Sequence, residues 1–202
     1  MRPDWYPDWS GQRCVIIASG PSASREAVYL VQGRAKVIVI NNSWHLAPWA
    51  DVLYASDCGW WKTGKGDAFS GLKVSRSSHP GVRNVRLRKE DGEWCNRMLL
   101  EDPYVIGAGG SSGFQALNLA VHFGTRQIAL VGYDARIDLG SHWHGDHGEG
   151  LKNPGRGTAE LWVRFLDEAA SALVEAGVNV VNCSPVSALT AYRKVELAQW
   201  LA

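Results

Sequence analysis

Five short apolar runs punctuate the chain, and each stops abruptly at small or polar residues. They are Cys14–Ala18 (CVIIA), Lys36–Ile40 (KVIVI), Val52–Ala55 (VLYA), Gln127–Val131 (QIALV) and Val178–Val181 (VNVV). A strand with one wet face alternates polar and apolar residues; these do not, so both of their faces must be buried. Between them lie helix-compatible stretches. One runs from Ala23 to Val31, a second sets Phe114, Leu117 and Val121 on one face, and a third, Thr158–Ala176, spaces Leu161, Phe165, Ala169 and Leu173 at helical intervals. Tyr104–Ile106 reads as one more short strand. Strands alternating with helices give an α/β fold with an open, mostly parallel sheet and helices on both faces, a Rossmann-like arrangement. At 202 residues one such domain over 1–202 is expected.

Residues 60–103 break the pattern and read as an irregular basic insertion or lid. From Trp60 to Arg97, the basic Lys62, Lys65, Lys73, Arg76, Arg83, Arg86, Arg88, Lys89 and Arg97 face only Asp67, Glu90, Asp91 and Glu93. Over the whole chain charge balances: 21 basic against 20 acidic residues leave a net charge of +1 and no global field to attract a polyanion. A nucleic-acid acceptor such as DNA would therefore be met through the basic 62–97 segment. No apolar run approaches the length of a bilayer span, so no membrane partner is expected. The opening MRPDWYPDWSGQR has no apolar stretch of the signal-peptide kind, and the chain is expected in the cytoplasm. Cys14, Cys58, Cys95 and Cys183 lack metal-ligand spacing and read as packed thiols. Trp5, Trp9, Trp44, Trp49, Trp60, Trp61 and Trp143 fall in or beside loops, as a binding surface or as cover for the sheet ends.

The carboxyl ends of the runs carry the chemistry. Ser19-Gly20-Pro21-Ser22 follows a buried strand and precedes a helix, and 107–113 (GAGGSSG) makes a second such junction. Backbone N–H groups at a helix start attract phosphate, so a side chain at Gly20 or Gly110 is expected to obstruct its approach. Asn41, Asn42, Asp57, Tyr133 and Asp134 leave the other strand ends at the same edge. HWHGDH, from His142 to His147, has the look of a zinc motif, but no histidine follows it to complete a hydrolytic metal site. No zinc is expected, and an imidazole of this loop serves better as a proton-transfer group near neutral pH.

Taken in order, VIIASGPSASRE, VIVINNSW, SSGFQALNLAVHFGTRQIALVGYDA, HWHGDH and VNVVNCSPVSAL resemble successive motifs of the small bacterial sialyltransferases. They also resemble the related superfamily that includes 6-hydroxymethylpterin diphosphokinase-like proteins, and most closely its short phage-encoded members. The resemblance implies a nucleotide-dependent transferase, glycosyltransferase-like, with a nucleotide sugar of CMP type as donor. It assigns donor binding to Ser19, Gly20, Pro21 and Ser22, to Asn41 or Asn42, and to Gly110, Ser111, Ser112 and Gly113. Asp57 and Tyr133 complete the donor-binding set. The implied base is His147, with His144 second, and Asp134 stands in the family's G-x-D stretch. Ser19 replaces the family's loop asparagine, and Ala135 and Arg136 stand where it has aromatic residues. Two alternatives belong to other classes. One is a diphosphokinase-like enzyme with Mg²⁺ held by Asp134 or Asp57; the other is a module that binds a nucleotide or nucleic acid without turnover. The acceptor is left open, and an oligomer is compatible with the sequence.

Overall fold

The computed structural model describes residues 2–146, 148 and 153–202. The first half of the chain runs β1 (Arg13–Ile17), α1 (Arg25–Tyr29), β2 (Lys36–Ile40), a 3₁₀ turn (Asn41–His45), β3 (Val52–Tyr54), α2 (Cys58–Lys62) and β4 (Leu72–Ser75). Five two-residue strands follow: β5 (Arg83–Asn84), β6 (Arg86–Leu87), β7 (Lys89–Glu90), β8 (Glu93–Trp94) and β9 (Val105–Ile106). The remainder is α3 (Ser112–His122), β10 (Gln127–Val131), α4 (Arg156–Glu175), β11 (Asn179–Asn182), β12 (Arg193–Lys194) and α5 (Leu197–Leu201).

Eight strands form one sheet in the order β12-β11-β10-β1-β2-β3-β4-β5, and every neighbouring pair is parallel. The absence of alternation in the apolar runs is explained by helices on both faces. Cys14 and Ile16 of β1 pack with Phe114, Leu117, Phe165 and Leu173 of α3 and α4. Val15 and Ile17 pack on the opposite face with Val28 of α1, Trp60 and Trp61 of α2, and Leu197 and Leu201 of α5. Each strand side chain held entirely from water in this way contributes about 1.5–3 kcal/mol. The result is an α/β architecture with a large parallel sheet, compatible with a Rossmann-like topology.

Two expectations about the middle of the chain need correction. Residues 60–103 are not wholly irregular, because β4 pairs with β3 (Leu53↔Lys73) and β5 extends the sheet beyond it. These strands escape the apolar pattern because β4 is only half buried at its start and β5 is an exposed edge. The strand at 105–106 lies outside the main sheet and pairs with β6. Helix α1 is also shorter than the expected 23–31, starting only after Ser24, whose side chain accepts the Ala27 N–H at 3.1 Å.

The tryptophans mostly cover the ends and faces of the sheet. Trp9, Trp60 and Trp61 are buried, while Trp5, Trp44, Trp49 and Trp143 are partly buried against the two cores. Four of their indole N–H groups are spent internally: Trp44 on Lys65 C=O, Trp60 on Asn42 Oδ1, Trp61 on Ala55 C=O and Trp143 on Ser43 Oγ. A buried indole needs such a partner. Among the described residues, no helix is long and apolar enough to cross a membrane.

Candidate functional site

From β1 the chain moves to β2 and β3 on one side and later returns to β10 on the other, so the strand order reverses between β1 and β10. In an open parallel sheet the loops diverge at such a point and leave a crevice beyond the carboxyl ends. Here a cavity of about 1000 Å³ opens at that place. Its lining includes Ser19 and Gly20 after β1, Asn41 after β2, Ser56 and Asp57 after β3, and Gly132 and Tyr133 after β10. The N-terminus of α3, residues Gly110, Ser111, Ser112 and Gly113, projects into the same space. Leu161, Trp162 and Phe165 of α4 form an apolar wall, and Glu93 and Trp94 of the β7–β8 hairpin stand in the lining with them.

The first junction is held by Asp134, which is 1% exposed and lies outside the cavity lining. Its Oδ2 accepts the Ser22 N–H at 2.7 Å, and its Oδ1 accepts the Ser22 hydroxyl. The carboxylate expected to do chemistry thus clamps the Ser19–Ser22 loop to the end of β10. Gly20 belongs to the same clamp. Its N–H donates to Gly132 C=O at 2.9 Å, and a Cβ there would stand 2.4 Å from that oxygen and 2.8 Å from the Asp134 carboxyl carbon. Close backbone packing therefore demands glycine at this position whether or not a phosphate approaches. Pro21 is half buried in the loop without joining the lining.

The two asparagines part company. Asn42 accepts the Trp60 indole N–H at 2.8 Å and meets His144 Nε2 at 3.2 Å through its amide nitrogen. Asn41, with φ of +50°, turns the other way and lines the crevice. Its Oδ1 is shielded from solvent and has no hydrogen-bond partner among the described residues. A buried acceptor left open costs about 1–3 kcal/mol, so it is a place for a ligand's N–H or O–H.

At the second junction Ser111 caps α3 by accepting the Phe114 N–H at 3.1 Å. Ser112 Oγ accepts the Ser56 N–H at 3.3 Å, which ties the helix start to the end of β3. Gly109, at φ +52°, admits no side chain, since a Cβ would lie 1.9 Å from the Phe114 ring. Tyr133 donates its hydroxyl to Gly113 C=O at 3.0 Å, and burial pushes that phenol well above its ordinary pKa, so it stays protonated and serves as a donor. Gln115 sits beneath the helix start, accepting from Tyr54 Oη and donating to Ala108 C=O, both at 2.7 Å. Asp57 caps α2 through Gly59 N–H at 2.7 Å.

The histidine loop docks on the first junction. Trp143 N–H donates to Ser19 C=O at 2.9 Å, and its indole N–H reaches Ser43 Oγ at 3.2 Å, a hydroxyl that also meets Ser19 Oγ at 3.1 Å. His142 lines the crevice and stacks on His144, with ring centroids 5.0 Å apart. His144 is directed to Asn42 and is absent from the lining, whereas His147 lies outside the described residues. Among the described residues, no group of three or more His, Cys, Asp or Glu gathers closely enough to hold a metal ion.

His142 was anticipated only as one histidine of its loop, and Arg76, Arg136, Gln115, Trp94 and Trp162 were not singled out as lining residues. Arg136 is engaged by Asp138, accepted at Oδ1 at 2.7 Å and again at Oδ2, and by Val186 C=O at 3.3 Å. Those bonds hold the Asp138 carboxyl below the usual carboxylate range. No known protein family, curated protein or solved structure matches this chain.

Proposed function

We propose that the protein is a nucleotide-dependent transferase that holds its donor, a nucleotide sugar, across the β1/β10 crevice. The observation that carries this reading is the coincidence of three features in one cavity at the reversal of strand order. They are the start of the 11-residue helix α3, the acceptor Asn41 Oδ1 that has no partner among the described residues, and a volume at the upper end for small-molecule pockets. The CMP-type base of the donor rests on the motif resemblance. A pocket of this size has room for a donor and an acceptor together.

In the reaction a histidine of the 142–147 loop removes the proton from an acceptor hydroxyl. That oxygen bonds to the anomeric carbon of the donor sugar as the bond from that carbon to the phosphate oxygen breaks, and the nucleotide departs with the electron pair. His142 is the described imidazole best placed for the proton, because it faces the crevice. Asp134 takes no part in this step; it fixes the loop on which the donor rests.

Thermal shift with CMP, UMP, GMP, ADP and their sugar derivatives tests the reading, because a ligand of the native state raises stability by RT ln(1 + [L]/Kd). A nucleotide sugar that shifts the melting temperature, and is then consumed by wild-type protein but at least about a hundredfold more slowly by His142→Asn, supports it. A shift confined to ATP with Mg²⁺ would favour pyrophosphoryl transfer. Binding without consumption of any donor would leave a nucleotide-binding module.

A further inference from the structure

We infer that Arg76 binds the phosphate of the nucleotide and carries its charge as the leaving group departs. The inference rests on the donor-binding reading above and assigns one residue to a task that the basic 62–97 segment as a whole does not specify.

Of the nine basic side chains in that segment, Arg76 alone lines the crevice. The fates of others are visible. Lys73 donates to Asp67 C=O, Arg88 pairs with Asp102, Arg97 pairs with Glu90, and Lys89 lies over the Trp94 ring. Arg76 follows β4 directly, so it emerges at the carboxyl edge of the sheet where the ligand would lie.

Its orientation is set by a single residue shared with α3. Ser56 accepts the Arg76 Nε–H at its C=O, at 3.1 Å, and gives its own N–H to Ser112 Oγ at 3.3 Å. The guanidinium and the start of α3 are thereby fastened to opposite ends of one residue. With Nε committed, the two terminal nitrogens remain, and among the described residues they have no carboxylate partner. The other cation among the described lining residues, Arg136, is neutralised by Asp138. The acidic groups among the described lining residues are Asp57, which caps α2, and Glu93 on the hairpin. Among the described residues Arg76 is thus the crevice cation free to face an anion, and a planar fork beside helix amides suits a phosphate's several oxygens.

The test compares a nucleoside monophosphate with its own nucleoside, CMP against cytidine or the matching pair for whichever base binds best. Affinities are measured for wild type, Arg76→Ala and Arg76→Lys by calorimetry. Arg76 is exposed, so the variants are expected to fold, and an unchanged melting temperature without ligand verifies it. The expected result is a loss of about tenfold to a hundredfold in nucleotide affinity for Arg76→Ala, with nucleoside affinity unchanged. Lysine should restore only part, because it keeps the charge and loses the fork. Donor turnover in Arg76→Ala should fall by more than its affinity does. Equal losses for nucleotide and nucleoside, or no loss for either, overturn the inference while leaving the donor site standing. Failure of every nucleotide to bind wild type would overturn both.

Discussion

Replacing Asp134 by alanine should damage the fold before it damages any chemistry. The carboxylate is 1% exposed and accepts two hydrogen bonds from Ser22, one from the backbone N–H at 2.7 Å and one from the hydroxyl. Bonds to an ionised group contribute about 1.5–3 kcal/mol each, so alanine forfeits about 3–6 kcal/mol. Ser22 is half buried, and water that reaches its released groups brings the loss toward the lower figure, about 3 kcal/mol. For a chain of this length that corresponds to a melting temperature lower by about 6–12 °C. Asparagine keeps one acceptor for the N–H and turns its amide to donate to Ser22 Oγ, so Asp134→Asn should cost about 1 kcal/mol. Equilibrium urea unfolding, followed by tryptophan fluorescence and far-ultraviolet dichroism together, gives both numbers and checks that the transition is two-state. An Asp134→Ala variant within about 1 kcal/mol of wild type would refute the clamp. So would a fully stable Asp134→Asn that no longer binds nucleotide, since the carboxylate would then be touching the ligand.

Gly109→Ala should lower stability by more than about 3 kcal/mol, because the backbone is left-handed there and the new methyl would enter the Phe114 ring; thermal melting measures it, and a near-normal melt would contradict the packing. Acid should also weaken the fold through His122, which is buried, donates to Val105 C=O and has its pKa lowered chiefly by burial. The folded state keeps this imidazole neutral while the unfolded chain protonates it below about pH 6.5, so stability is present above that pH and is lost as pH falls through it. Melting temperatures from pH 7.5 to 5 should therefore drop in wild type and drop less in His122→Gln; parallel curves would remove His122 as the cause.

The strands that build the floor of the site were legible because burial on both faces leaves a continuous apolar run, as in CVIIA and QIALV. The edge was not. Arg83–Asn84 joins the sheet through backbone pairing and a bond from the Asn84 amide to Ser75 C=O, with both residues exposed, and no local pattern marks such a strand. The junctions at 19–22 and 110–113 were legible as breaks after strands, and Ser19 and Gly20 of the first share one crevice with all four residues of the second. Their internal division of labour was hidden, because it depends on partners distant in sequence. Asn41 and Asn42 are neighbours that a 3₁₀ turn sends to different places, one to the cavity and one to Trp60. Asp134 looks like a reactive group until its contact with Ser22, 112 residues away, is seen. Arg76 carried one usable signal, its place immediately after Leu72–Ser75, but that strand had to be recognised first.

The claim on which the account turns is that a nucleotide lies against the start of α3. Calorimetric titration of the best nucleotide into wild type and Ser112→Asp measures this most directly. An aspartate in the first turn suits the helix dipole and can still accept the Ser56 N–H, so the variant should melt no lower than wild type. Its charge, about 5 Å from a bound phosphate at an effective dielectric of about 20, repels by about 3 kcal/mol. The account predicts one bound nucleotide per chain in wild type and affinity weaker by about a hundredfold in Ser112→Asp. Unchanged affinity in that variant would place the nucleotide elsewhere and contradict the account.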